Sequence, residues 1–285
     1  MPATKGRPVK RAVLLAALVL LAALAALVAL SAARAGLYDV DGLAREAPRR
    51  TALMRARAAQ AQRAGRAWRP RQAWVPYERV SPLLRRAVLT AEDAAFYRHG
   101  GLDWGEIRAS ARRDLEERRV VRGGSTITQQ LARNLYLGDR RTVTRKLTEV
   151  FLALRMERAL SKRRILELYL NLIEWGDGVF GAEAAARHYF GVPAAELSPR
   201  QATLLAAVII NPRRYSVLAP PRRIERRVRL IAGRMHRRGF LDDAQYAQAL
   251  GLPPPAAPAA PEGVPGSGAE ADGTPREPLS PPEPP

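Results

Sequence analysis

Residues 198–212 read SPRQATLLAAVIINP. Ser198 is a favourable helix N-cap, Pro199 suits the first helical position, and Gln201 at the third position completes a capping box. Leu204, Leu205, Val208 and Ile209 follow with no charge among them, until Asn211-Pro212 stops the helix. A capped helix this apolar belongs at the centre of a domain, with other helices packed around it.

Working outward, Ser81-Pro82 repeats the same start and predicts a helix running to about Ala91. From about Thr142 to Asn171 the pattern predicts one long helical stretch. Leu147, Val150, Phe151 and Leu154 share one face of it, and Ile165, Leu168, Tyr169 and Leu172 share another. Strand signals are sparse: Trp74-Val75-Pro76 and Arg119-Val120-Val121 are short enough to be edge pieces. The expected fold class is mainly α.

The N-terminus fixes the compartment. Ala12 to Ala33 is an uninterrupted apolar run, enough to cross a bilayer core as a helix, and Lys5, Arg7, Lys10 and Arg11 precede it. Those charges are expected to hold the N-terminus in the cytoplasm and send the rest of the chain outward. A cleaved signal peptide is the competing reading, because Ala33-Arg34-Ala35 has the small-x-small form of a cleavage site. Its apolar region is normally only ~7–15 residues, which favours a retained anchor.

The resulting organisation is a cytoplasmic N-terminus at 1–11, a transmembrane anchor at 12–33 and a basic, Ala- and Arg-rich juxtamembrane segment at 34–74. A globular domain is expected at 75–252 and a disordered Pro-rich tail at 253–285. Met54, Arg55 and Arg57 are read as part of a solvated or lipid-facing stretch without chemistry.

The 285 residues carry a net charge of +20, a surplus that favours anionic partners: nucleic acid, lipid head groups or phosphate-bearing substrates. An outward-facing domain argues against nucleic acid. Cysteine is absent, so disulfides and thiolate metal sites are excluded, and the three histidines at 99, 188 and 236 are too dispersed in sequence to suggest a metal site.

Three segments carry candidate chemistry. In EDAAFYRHGG (92–101), Glu92 and Asp93 end a helix beside Phe96 and Tyr97. A carboxylate partly desolvated there has its pKa raised, which suits acid–base work, whereas an isolated acidic pair is more often a solvated helix end. His99 is expected to satisfy a loop hydrogen bond.

In GGSTITQQLARNL (123–135), two glycines give a close-approaching turn and Thr126 with Gln129 forms a capping box that opens a helix. Free N–H groups at such a start form a natural anion site. Capping alone leaves Thr128, Gln130 and Arg133 unexplained. In RRTVTRKLTEV (140–150), Arg145, Lys146 and Glu149 fall opposite the apolar stripe, with Arg145 and Glu149 four residues apart. This is either a solvated salt-bridged surface or a cationic ledge for a diphosphate with a carboxylate held inside it.

Together these segments resemble the family-51 peptidoglycan glycosyltransferases. SKRRILELYLN (161–171) and IEWGDGVFGAEAAARHYFG (173–191) resemble that family's fourth and fifth motifs, and LLAAVIINPRRY is closest to its monofunctional members. The resemblance covers roughly Val75 to Tyr215. It implies a lysozyme-like, mainly α domain acting on lipid II, a disaccharide-pentapeptide on undecaprenyl diphosphate, and on the growing glycan strand. Partners in the cell-division or elongation machinery are left open.

Matched motif by motif, Glu92 is the base that takes the proton of the acceptor sugar's 4-hydroxyl. Glu149 is the second carboxylate, which helps position or charge-balance the diphosphate, with room for a divalent cation (magnesium or manganese). Ser125, Thr126, Gln129, Gln130, Arg133, Arg141, Arg145 and Lys146 match substrate-binding positions. Ala94 and Thr148 depart from common family residues without removing either carboxylate. No Ser has a Lys three residues on, so a penicillin-binding transpeptidase nucleophile is not expected.

The chemistry agrees with the residues. A diphosphate leaving group needs its charge neutralised by cations, whereas a glycosidase acting on an alkoxide leaving group needs a protonated acid. The rival readings are a lysozyme-like muramidase or lytic transglycosylase, a non-catalytic membrane scaffold for wall synthesis, and a basic nucleic-acid binder.

Overall fold

The computed structural model describes residues 7–117, 124–138 and 142–253, with side chains from residue 11 onward. In chain order the elements are α1 (Arg7–Gly36), α2 (Ala52–Arg63), β1 (Arg71–Gln72), α3 (Pro82–Glu92), α4 (Trp104–Glu116), α5 (Ile127–Ala132) and α6 (Val143–Ala159). Then follow α7 (Lys162–Leu172), β2 (Glu174–Gly176), β3 (Val179–Phe180), α8 (Ala182–Phe190), α9 (Pro199–Val208), α10 (Arg222–Arg237) and α11 (Asp243–Leu250). The fold is mainly α, as the capped apolar helices predict.

The helix of residues 198–212 is central. Ser198 and Gln201 close the capping box of α9, and Ala202, Leu205, Ala206, Ala207 and Val208 are fully buried. Around α9 pack α3, α10 and α11, while α5 packs between α6 and α7. The start of α3 differs from expectation. Pro82 does begin the helix, but the Ser81 hydroxyl makes no cap; the Ser81 N–H instead bonds Ala194 O at 2.9 Å, tying the helix start to the turn before α9.

The stretch expected as one helix from Thr142 to Asn171 is two. The break falls at Leu160-Ser161, where Leu160 turns extended and the Ser161 hydroxyl caps α7 by accepting from Arg164 N. The face of α6 that reaches the core also differs: Thr148, Glu149, Leu152, Ala153 and Met156 are buried, and the Leu147/Val150/Phe151/Leu154 stripe is only half-buried. On α7 the expected face holds, since Ile165, Leu168, Tyr169 and Leu172 are completely buried.

The small sheet lies elsewhere than the apolar runs suggest. Its order is β1-β3-β2, with β1 parallel and β2 antiparallel to β3, so two strands come from the segment after α7 and the third is Arg71–Gln72 rather than Trp74-Val75. The other expected strand, 119–121, lies outside the described residues. Gly181 follows β3 at φ +86°, and a Cβ there would stand 2.7 Å from Asn171 O. Asn171 in turn holds Val75 through both its amide groups, at 2.9 Å each.

The segment expected as a basic juxtamembrane stretch contributes to the core. Ala35, Val40 and Leu43 join the main apolar cluster, and Met54 with Leu53 packs under Phe180. Met54 is thus buried where a solvated position was expected, because α2 lays one face against the turn after α5.

Helix α1 runs directly into this region and packs against α6. Arg155 of α6 donates to Ala35 O and Tyr38 O, the Tyr136 hydroxyl donates to Asp39 O, and Arg164 donates to Leu43 O and Glu46 O. Among the described residues α1 is the one helix long and apolar enough to cross a membrane, and its most apolar stretch is not buried against the domain.

Candidate active site

Glu92 and Asp93 are adjacent in sequence but do different work. Asp93 caps α5 from a distance: its Oδ2 accepts the Ile127 N–H at 3.0 Å and its Oδ1 faces His99 Nε2 at 2.9 Å. His99 Nδ1 accepts the Gly101 N–H at 3.2 Å, so Nε2 carries the proton that it donates to Asp93, and the expected loop role of His99 is observed. The start of α5 was expected to offer free N–H groups to a substrate anion. Its Ile127 N–H is already taken by Asp93 and its Gln129 N–H by the Thr126 hydroxyl. The protein supplies its own anion there.

With Asp93 facing inward, Glu92 is left to the groove. Arg227 of α10 donates to its Oε1 at 2.6 Å, and Gln130 Nε2 donates to its Oε2 at 3.1 Å. The Tyr169 hydroxyl donates to Gln130 Oε1 at 2.9 Å, which turns the amide so that its N–H₂ faces Glu92. Burial raises the Glu92 carboxyl above its ordinary pKa, and Arg227 first, then Gln130 and the more distant Arg133, oppose the rise. The result is a carboxylate of enhanced basicity held by a cation.

Glu149 sits on α6 with its side chain almost fully buried. Arg145 Nη1 reaches its Oε2 and Lys146 Nζ its Oε1, each at 2.5 Å, and Lys146 also donates to Ser125 Oγ at 3.0 Å. Burial of Glu149 differs from the solvated salt-bridged surface, since its carboxylate lies beneath the Arg145 and Lys146 cations.

The two carboxylates line neighbouring cavities of one groove, linked through Ser125. Ser125, Arg133, Arg145, Lys146 and Glu149 line a cleft of about 460 Å³. Ser125 also lines the adjoining cavity of about 440 Å³ in which Glu92 lies. Arg133 and Arg145 continue into a third cavity of about 340 Å³ beside Gln130 and Tyr169. Arg133 makes no side-chain hydrogen bond to the described residues, so its guanidinium is available to a ligand. Three cations against the single Glu149 carboxylate leave a surplus of two positive charges on the ledge, which suits a diphosphate.

Of the residues expected in the site, Ser125, Gln130, Arg133, Arg145, Lys146, Glu149 and Glu92 line this groove. Thr126 also lines the Glu92 cavity, but it is buried like Gln129, and the two hold the capping box of α5, with Thr126 donating to Gly101 O at 2.7 Å. Arg141 lies outside the described residues. A divalent cation does not fit Glu149 as it stands: each of its oxygens is already on a cation, and no cluster of three metal-ligating side chains occurs among the described residues.

Sequence reasoning missed Arg227. Its signal was readable in hindsight: Arg227 stands three residues after Ile224 and four before Ile231, both buried, so it lies along the apolar stripe of α10 and not on the arginine-rich outer face. It also missed Arg57, which donates Nε to the buried Glu174 at 2.9 Å.

Comparison with known proteins gives the family. The family model described as Transglycosylase matches residues 59–236, starting within α2. A biosynthetic peptidoglycan transglycosylase of Laribacter hongkongensis is 47% identical over 189 residues, covering 66% of this chain and 83% of that protein. Its namesake in Alcanivorax borkumensis is 49% identical, covering 65% and 74%. A third, from Nitrosomonas eutropha, is 51% identical over 56% of this chain and 65% of its own length, so there the match spans just under two thirds of the relative. The helical architecture is that of the lysozyme-like transglycosylase domain. The chain belongs to the transglycosylase family, beside the biosynthetic peptidoglycan transglycosylases.

Proposed function

We propose that the chain is a peptidoglycan glycosyltransferase that polymerises lipid II into β-1,4-linked glycan strands and releases undecaprenyl diphosphate. The observation that carries this is the shared groove, with a basic, Arg227-held Glu92 at one end and the Arg133/Arg145/Lys146 ledge at the other. Glu92 takes the proton of the acceptor 4-hydroxyl as its oxygen attacks the anomeric carbon of the donor. The bond from that carbon to the diphosphate breaks with inversion, and the charge left on the diphosphate falls on the ledge. Glu149 holds Arg145 and Lys146 in place and limits their surplus charge.

The apolar α1 anchors this domain in the bacterial cytoplasmic membrane, with its basic N-terminal flank inside and the groove on the outer, periplasmic side. Lipid II then reaches the ledge from the bilayer in which its tail resides.

A carboxyl of raised pKa also suits the general acid of a muramidase, and that is the reading to separate. Purified full chain is incubated with labelled lipid II, with and without a chelator, and separately with finished peptidoglycan. Chain growth by wild type and none by Glu92→Gln is the expected result; release of muropeptides without chain growth would refute it.

A further inference from the structure

A further carboxylate lines the groove system. Glu174, the first residue of β2, is 5% exposed and lines the 340 Å³ cavity with Gln130, Arg133 and Arg145. Arg57 Nε donates to its Oε2 at 2.9 Å, the Gly178 N–H also acts on the carboxylate, and its Oε1 is buried without a hydrogen bond of good geometry. On the same cavity, Arg145 Nε is buried and donates none, although Arg145 Nη1 holds Glu149. Both residues line that cavity, and buried polar atoms without a protein partner cost stability unless a water or a ligand completes them.

The sign of Glu174 restricts that ligand. An anion alone would be repelled by a second carboxylate, so the group meeting Glu174 must donate a hydrogen, and the one meeting Arg145 Nε must accept. A saccharide next to a charged leaving group presents both. Burial also pushes the Glu174 carboxyl above its ordinary pKa, opposed by Arg57, Arg213 and the nearby Gly178 N–H, which makes it a strong acceptor.

We propose that Glu174 is a sugar-binding residue of the groove. Its Oε1 accepts a hydrogen bond from a hydroxyl or amide N–H of the lipid-linked saccharide, Arg145 Nε donates to an oxygen of the same molecule, and Arg57 holds the Glu174 carboxylate in position. This assignment rests on the glycosyltransferase reading above.

The test measures KM and kcat for labelled lipid II, with thermal midpoints, on the full chain in micelles for wild type, Glu174→Ala, Glu174→Gln, Arg57→Ala and the Arg57→Ala/Glu174→Ala double variant. Glu174→Ala is expected to raise KM about tenfold or more, the value of a lost charge-assisted bond, with kcat largely retained. Glu174→Gln, which keeps an acceptor oxygen, is expected to fall between it and wild type, and the double variant to be no worse than Glu174→Ala. A wild-type KM in Glu174→Ala overturns the assignment, as does a joint loss of kcat and thermal midpoint in both Glu174 variants. If Glu174→Ala is too unstable to assay, an unchanged KM in Glu174→Gln overturns it and a raised KM supports it. A wild type that extends no glycan sinks the activity reading itself, and this assignment with it.

Discussion

Arg227 Nη2 reaches Glu92 Oε1 at 2.6 Å, across 135 residues of sequence. The arginine comes from α10 and the carboxylate from the last turn of α3, two helices that pack on each other and on α9. The contact therefore couples the basicity of one side chain to the assembly of the whole helical core. Without the cation, burial would keep the carboxyl protonated to a higher pH than it does now.

The first prediction concerns Glu92→Gln. Turnover is expected to fall by about 10²–10⁴, the usual worth of a positioned base, with KM nearly unchanged. Stability should move the other way. A carboxyl whose folded pKa is raised binds its proton more tightly folded than unfolded, so its ionisation lowers stability as pH rises from the unfolded pKa through the folded one. Melting curves should show the variant more stable than wild type above that window, with the advantage vanishing as pH falls through it.

Arg227→Ala removes the main influence that lowers the Glu92 pKa. The acid limb of kcat against pH is expected to move to higher pH, because the active form is the carboxylate. A pH–rate profile that keeps its acid limb in place would contradict the role given to this arginine.

Asp93→Ala should behave unlike its neighbour. Two donors lose their acceptor, the Ile127 N–H and the His99 ring, at about 1–3 kcal/mol for each buried group left unpaired. A large fall in thermal midpoint is expected, in contrast to the rise in Glu92→Gln, and differential scanning calorimetry of the two variants side by side checks it.

Lys146→Ala deletes a half-exposed ledge cation that touches Ser125 and Glu149. KM for lipid II is expected to rise about tenfold, as for loss of one charge-assisted contact, while the circular-dichroism spectrum stays that of the wild type.

Gly181→Ala places a side chain on a backbone at φ +86° and against Asn171 O. The backbone strain alone is about 1–3 kcal/mol. Chemical denaturation should report a loss of at least that size.

Much of this was legible in the chain. Ser198, Pro199 and Gln201 mark α9 unambiguously because capping is a local affair of a few side chains and N–H groups. Glu92 and the ledge of Arg145, Lys146 and Glu149 stand out through spacing within single helices and through family resemblance. What sequence conceals is which of two adjacent acids turns inward. Asp93 is drawn to Ile127, a residue 34 positions away, and no local pattern announces that. The break at Ser161 is masked because the apolar period continues on both sides of it, although the Ser161 cap is an ordinary helix-start signal. The sheet escaped notice since its strands are two or three residues long, too short for alternation to register.

Finally, consider the backbone between Ala35 and Glu46, gripped by Arg155, Tyr136 and Arg164. A catalytic body on a loose tether would sweep a hemisphere and meet its lipid-borne substrate at varying heights and tilts. On the proposed anchored reading, the apolar rod is bolted to the helix that bears the ledge. On that reading, elevation and heading of the groove over the lipid surface are properties of the fold.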